Sequence, residues 1–237
     1  MAQQPLTQPV KYPYYEATVT ETTWHYEAIA YLYLVLRYRY RGRDDVFVGA
    51  NNFVFWEEGN TDEKQAPDLY ICFGARNIGR SSYKTWEEGG IVPQVVFEIT
   101  SRSSRLTDLG TKKATYEMLG VEEYYAFDPL KDYIAPGLKA FRLEGEAYRD
   151  ITPNLTKQTA IGIRVYSPRL ELDLEGPPGD AFGILRLFEP GTQVCLRSYE
   201  ESELAAVREK SRADDAHTRA ERYARKLAEL GIDPETV

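Results

Sequence analysis

Two short apolar runs restrict this chain more than any other feature: Leu69-Tyr70-Ile71-Cys72-Phe73 and Val95-Val96-Phe97-Glu98-Ile99. Both read as strands, and each carries an acid. Asp68, directly after Pro67, opens the first run, and Glu98 lies inside the second, thirty residues on (98 − 68). An ionised carboxylate among such residues is costly unless a partner or a metal compensates it. Two acids on neighbouring strands are what a divalent metal site needs, so the function is expected at this pair.

The rest of the composition narrows the classes of chemistry. At 237 residues the chain can bury one sizeable core, with room for an appendage. Hydrophobic content of 43% and charged content of 28% are those of a soluble globular protein. No apolar stretch approaches the ~20 residues of a membrane span. The opening MAQQPLTQPVKYPYY lacks the apolar core of a secretory signal, so residues 1–20 read as a loose tail and a cytoplasmic location is expected. Cys72 and Cys195 form no disulfide framework. With only His25 and His217 present, a Ser/His/Asp triad or a multi-histidine zinc site has little support, and chemistry must come from carboxylates and lysine. A net charge of −8 is no nucleic-acid footprint in itself, though local patches matter more than the total.

Along the chain, a helix is expected over 21–41, ending near Gly42. Arg37, Arg39, Arg41 and Arg43 interleave with Tyr38 and Tyr40 at its end. They read either as a phosphate-contacting patch with stacking aromatics or, preferably, as solvated arginines near a helix C-terminus. Strands are expected at Val46–Trp56, Leu69–Phe73 and Gln94–Thr100. A helix capped at Ser103, Ser104 or Thr107 then runs to about Leu119, with Gly120 as its stop, and a strand follows at Glu123–Asp128. The order is α-β-β-β-α-β. Short strands between Leu138 and Leu174 extend or cover the sheet, and one or two more are expected at Gly183–Phe188 and Gln193–Ser198. The segment 200–230 is helical. Its Ala213, Ala216, Ala220, Tyr223, Leu227 and Leu230 recur at heptad spacing, which suits either a homodimer contact or docking on its own domain.

Side chains alternate along a strand, so Glu98 and Thr100 share a face. If the two apolar strands pair, Asp68 approaches Glu98, and with the Ile99 carbonyl and waters they suit Mg²⁺, a hard ion that takes oxygen ligands. Asp108, Lys112 and Tyr116 stand at i, i+4 and i+8 along one helix face. Lys112, ahead of Lys113, would orient or help deprotonate a water and stabilise charge on phosphorus. Taken alone, Asp108–Lys112 reads as an ordinary surface ion pair. Tyr116 is expected to pack on the sheet rather than donate a proton.

These stretches together resemble the PD-(D/E)xK nuclease superfamily, and within it the bacterial Uma-type family. The carrying residues are Pro67-Asp68, Val95-Val96-Phe97-Glu98-Ile99-Thr100-Ser101, Asp108-Leu109-Gly110-Thr111-Lys112-Lys113-Ala114-Thr115-Tyr116, Gly120-Val121-Glu122-Glu123-Tyr124-Tyr125 and Asp128-Pro129. The resemblance implies an α/β fold with a mixed sheet, a restriction-endonuclease-like αβββαβ core with extra strands, and a C-terminal helix. The expected division is a tail 1–20, a nuclease-like domain 21–198 and a helical extension 199–237. The implied function is Mg²⁺-dependent hydrolysis of DNA, with Mn²⁺ as a substitute. The implied site is Asp68, Glu98 and Lys112, with Asp68, Glu98 and Ile99 as metal ligands. Thr100 stands where the motif lysine belongs; in the family the lysine has moved to the following helix, where Lys112 matches it. Glu27, rather than Glu21, is expected to complete the site from the first helix. The resemblance also places a histidine near the start of that helix, but His25 is expected to hydrogen-bond at the core edge. Arg102 and Arg105 are either phosphate contacts or solvated helix-entry residues. Thr100 and the acidic charge also suit a non-catalytic nucleic-acid-binding or assembly module on the same fold.

Overall fold

The computed structural model describes residues 22–153, 162–178 and 183–230. The first helix, α1 (Thr23–Arg39), starts where the Thr22 side chain accepts a hydrogen bond from the His25 N–H at 3.3 Å. Its Ala28, Ile29, Leu32, Val35 and Leu36 recur at helical spacing and are all buried. Three strands follow that matter to the core: β1 (Val46–Gly49), β4 (Leu69–Phe73) and β6 (Val95–Ile99). Between them run three two-residue strands, β2 (Val54–Phe55), β3 (Lys64–Gln65) and β5 (Tyr83–Lys84), which form a small sheet of their own.

The expected single strand Val46–Trp56 is therefore two. It breaks after Gly49 because Asn51 takes a left-handed conformation (φ 51°), which ends the β1 ladder. Gly49 is itself required there. It lies opposite Tyr70, and any Cβ would fall 2.3 Å from the Tyr70 ring.

The main sheet has six strands in the order β1-β4-β6-β7-β8-β9, with β7 at Glu123–Phe127, β8 at Leu138–Glu144 and β9 at Ala147–Asp150. All neighbours are antiparallel except β6 and β7, which run parallel. A parallel pair needs a crossover, and residues 105–119 supply it. The αβββαβ core is thus present, in a mixed sheet. Every residue of β6 and β7 is buried, which explains why these runs are apolar without alternation: the sheet is covered on both faces. On one face Leu69, Ile71, Val95, Phe97 and Ile99 pack with the buried stripe of α1. On the other, Tyr70, Cys72, Val96, Tyr124 and Ala126 pack with Tyr116 of the crossover.

The crossover is not one regular helix as expected. It comprises α2 (Arg105–Thr107), a π-helical turn (Asp108–Lys112) and α3 (Lys113–Leu119), and it stops at Gly120, whose φ of 79° suits glycine. A second antiparallel sheet contains β10 (Arg164–Ser167), β11 (Leu172–Glu175) and β12 (Arg186–Phe188). The strand expected at Gln193–Ser198 is reduced to a single bridge between Phe188 and Cys195.

The described residues divide between Leu196 and Arg197 into two compact units. The second holds α4 (Tyr199–Glu229), opened by a capping box in which Ser198 and Glu201 satisfy each other's backbone N–H. No residue of α4 is buried. Among the described residues, no helix is long and apolar enough to cross a membrane. The expected tail 1–20 lies outside the described residues.

Candidate active site

Asp68 and Glu98 meet at the end of the sheet where β4 begins and β6 ends, and the backbone explains why. The register pairs Leu69 with Phe97, so two residues further along each strand Pro67 faces Ile99. Proline has no N–H, and the Pro67 carbonyl is taken by the Asn51 N–H at 3.1 Å. The Ile99 N–H turns instead to the Asp68 carboxylate, donating to Oδ2 at 2.6 Å. Within a strand a residue's N–H and C=O project to the same side, so the Ile99 carbonyl points toward the same gap, where Pro67 offers it no donor.

Glu98 is fully buried, on the face that meets the crossover helix. Each carboxylate oxygen has a donor: Lys112 Nζ reaches Oε2 at 2.8 Å, and the Tyr116 hydroxyl reaches Oε1 at 2.5 Å. Lys112 also pairs with Asp108 Oδ1 at 3.1 Å. Asp108, itself buried, accepts from the Ser104 hydroxyl at 2.6 Å, while its backbone carbonyl accepts from the Tyr124 hydroxyl at 2.8 Å.

The π turn makes this convergence possible. In an α-helix, residues four apart drift past a full turn, whereas a π turn holds more residues and falls short of one. Joining the π segment 108–112 to the α segment 113–119 cancels the two offsets, so Asp108, Lys112 and Tyr116 stay in line with Glu98.

Charge follows from this packing. Burial pushes the Glu98 carboxyl well above the usual carboxylate range; the negative charges of Asp68 and Asp108 push the same way, and Lys112 opposes them. For Lys112, burial works to lower its affinity for the proton, but Glu98, Asp108 and Asp68 outweigh it and hold the ammonium above the ordinary lysine range. Lys112 is therefore a cation, not a base. Burial, reinforced by Glu98, likewise raises the Tyr116 phenol.

The geometry sorts the other expected residues. Lys113 turns away from the site, its ammonium 4.8 Å from the Phe141 ring centroid and 3.9 Å from Glu117. Glu27 is exposed. The α1 side chain that reaches the site is His25, with Nε2 3.5 Å from Asp68 Oδ1. The reason is helical phase: His25 lies on the stripe of Ala28, Ile29, Leu32, Val35 and Leu36, and Glu27 lies on the opposite side. Glu21 is outside the described residues. Tyr116 both packs against Tyr124, at 5.3 Å between centroids, and donates to Glu98.

Ser104 was not anticipated, though it extends the four-residue spacing of 108, 112 and 116 backwards by one step. Arg105 is occupied by the Arg102 carbonyl (2.6 Å) and the Tyr133 ring, whereas Arg102 is exposed. The arginines ending α1 have local partners: Arg37 with Tyr33, Arg39 with Glu189, Arg41 with Tyr38 and Arg43 with Asp45. These pairings suit the solvated reading better than a free phosphate patch.

Among the described residues, no group of three or more His, Cys, Asp or Glu side chains is disposed to hold a metal ion. Two carboxylates and a free carbonyl direction still suit Mg²⁺, which commonly uses one or two carboxylates and keeps several waters. Each carboxylate oxygen has two lone pairs, so the hydrogen bonds to Asp68 and Glu98 leave acceptor capacity. The mutual repulsion of these two acids is what a cation relieves.

The family model Uma2, described as "Putative restriction endonuclease", matches residues 3–175. Among solved structures, the chain is similar to a putative nuclease belonging to DUF820 from Anabaena variabilis ATCC 29413. That match has 12% identity and a TM-score of 0.46, over 64% of this chain and 76% of the other. No curated protein matches.

Proposed function

The chain belongs to the Uma2 family of putative restriction endonucleases, and from that premise we propose a divalent-metal-dependent nuclease that hydrolyses phosphodiester bonds in DNA. The observation that supports this most is the convergence of Asp68, Glu98 and Lys112 at one end of the sheet, where Pro67 leaves the Ile99 carbonyl without a strand partner.

Asp68 and Glu98, with the Ile99 carbonyl, are the residues to hold Mg²⁺, or Mn²⁺ in its place. When bound, the cation supplies Lewis-acid polarisation of the scissile phosphate and offsets the two carboxylates. The protein's own groups then have separate tasks. Lys112, kept cationic by three acids, stabilises the negative charge that grows on the phosphoryl oxygens. Tyr116 fixes the orientation of Glu98, and His25 that of Asp68. Arg102, exposed just beyond β6, contacts a phosphate of the substrate.

The test is plasmid nicking by the purified chain with Mg²⁺ or Mn²⁺, together with Mn²⁺ calorimetry. Cleavage is expected to depend on the metal and to vanish in Asp68→Ala and Glu98→Ala; cleavage unchanged in those variants overturns the assignment. Thr100, at the motif's lysine position, favours a second reading as a non-catalytic nucleic-acid-binding or assembly module. That reading expects salt-dependent DNA binding without turnover.

A further inference from the structure

The first turn of α1 carries a feature that the hydrolytic machinery does not use. Trp24 and Tyr26 are 38% and 68% exposed, and they flank the one residue of α1 that touches the site. On a helix, sequence neighbours lie about 100° apart, so the two rings stand on either side of His25, whose imidazole is 3.5 Å from Asp68 Oδ1. Isolated exposed aromatics are common. A pair bracketing a side chain that contacts a candidate metal ligand is a different arrangement, because any strand whose phosphate reaches Asp68 passes between or beside the rings.

The electrostatics point the same way. The chain carries a net charge of −8, and the arginine run at the far end of α1 is engaged by Tyr33, Glu189, Tyr38 and Asp45. A duplex held mainly through its phosphates needs a basic track. Unpaired bases need a flat π surface instead, and each stacked base contributes about 1–3 kcal/mol regardless of sequence, equivalent to roughly a 5- to 150-fold change in affinity when the ring is removed.

We propose that Trp24 and Tyr26 form a stacking platform for unpaired nucleobases, so that the site takes single-stranded DNA, or the unpaired part of a branched DNA, in preference to continuous duplex. The proposal rests on the nuclease reading for its choice of DNA as ligand.

The test uses the full chain in EDTA, so that binding is observed without cleavage. A 12-nucleotide oligo-dT is compared with the same strand annealed to oligo-dA, following tryptophan fluorescence and affinity. Wild type is expected to bind the single strand at least tenfold more tightly, with tryptophan quenching. Trp24→Ala/Tyr26→Ala is expected to lose tenfold or more of that affinity, while Trp24→Phe/Tyr26→Phe retains most of it. Both positions are exposed, and thermal melts of the variants verify that they fold. Equal or tighter duplex binding by wild type overturns the proposal, as does unchanged single-strand affinity in the double alanine variant. The two readings fail separately. Metal-dependent cleavage with normal binding by the alanine variant removes the platform and keeps the nuclease. Ring-dependent binding without any cleavage does the reverse.

Discussion

Lys112 is the residue on which charge balance at the site depends, since it is the cation that meets both Glu98 and Asp108. Lys112→Met is expected to lower plasmid cleavage by about 10²–10³, the usual effect of removing one group that stabilises transition-state charge. Lys113→Met is expected to cleave at close to the wild-type rate, because that ammonium lies over Phe141 and beside Glu117. Stripping a buried ion of its partner costs about 3–5 kcal/mol, and Glu98 reduces that cost by taking up a proton. Urea unfolding of both variants separates lost stability from lost chemistry. Away from the site, Glu88 is buried and its carboxyl is held below the usual range, first by the hydrogen bonds from Arg76, with Arg80 adding to them. A depressed folded-state value means stability that is present above the unfolded value of about 4.3 and is lost as pH falls through the folded one. The stability difference between wild type and Glu88→Gln should therefore shrink from pH 6 to pH 3, as read by urea midpoints. Asp68, Glu98 and Lys112 were legible in the sequence because a charged residue in an apolar run, or at four-residue spacing, announces itself. The contribution of α1 was misread because an acid was sought by type. The helical phase of Ala28, Ile29 and Leu32 selects His25 and rejects Glu27.

The crossover helix illustrates what sequence periodicity does not reveal. Four-residue spacing placed Asp108, Lys112 and Tyr116 on one face, yet a plain α-helix would have carried them progressively off Glu98. The π turn that corrects this arises from packing against the sheet, and no residue type encodes it. Gly110 lies within that turn, and a Cβ there meets nothing within 4 Å. Gly110→Ala is therefore expected to retain cleavage and to raise stability by about 0.5–1 kcal/mol, the usual gain over glycine in a helix. Deleting Gly110 is expected to abolish cleavage even where circular dichroism shows the fold intact, because converting the π turn to an α turn rotates Lys112 and Tyr116 relative to Asp108. Equal cleavage by the deletion variant would show that the turn has no part in alignment. The strands show the same division. β4 and β6 were readable from composition, whereas the break at Asn51 and the loss of the strand at 193–198 depend on backbone conformation and on which partners the sheet leaves available.

At the scale of the whole molecule, α4 is a unit whose apolar seam of Ala213, Ala216, Ala220, Tyr223, Leu227 and Leu230 has no buried member. We propose that two copies pair through it, weakly, since the seam spans fewer than three heptads and half of it is alanine. Arg212, Arg219 and Lys226 border the seam on one side, so pairing is expected to strengthen with salt. Sedimentation should show a concentration-dependent dimer that Leu227→Glu/Leu230→Glu reduces to monomer; a monomer at every concentration removes the pairing. In the first unit, the parts of the site differ in how firmly they are held. Glu98 belongs to a strand with neighbours on both edges and cover on both faces, so its amide should exchange with solvent only when the whole unit opens. Lys112 belongs to a π turn whose hydrogen-bonding pattern is less favourable than that of the α turns around it, so it can open on its own. The acid is thus a fixed reference and the lysine an adjustable one. Ordering that turn is a step that substrate binding can complete, and the rate of turnover can be set there without disturbing the sheet.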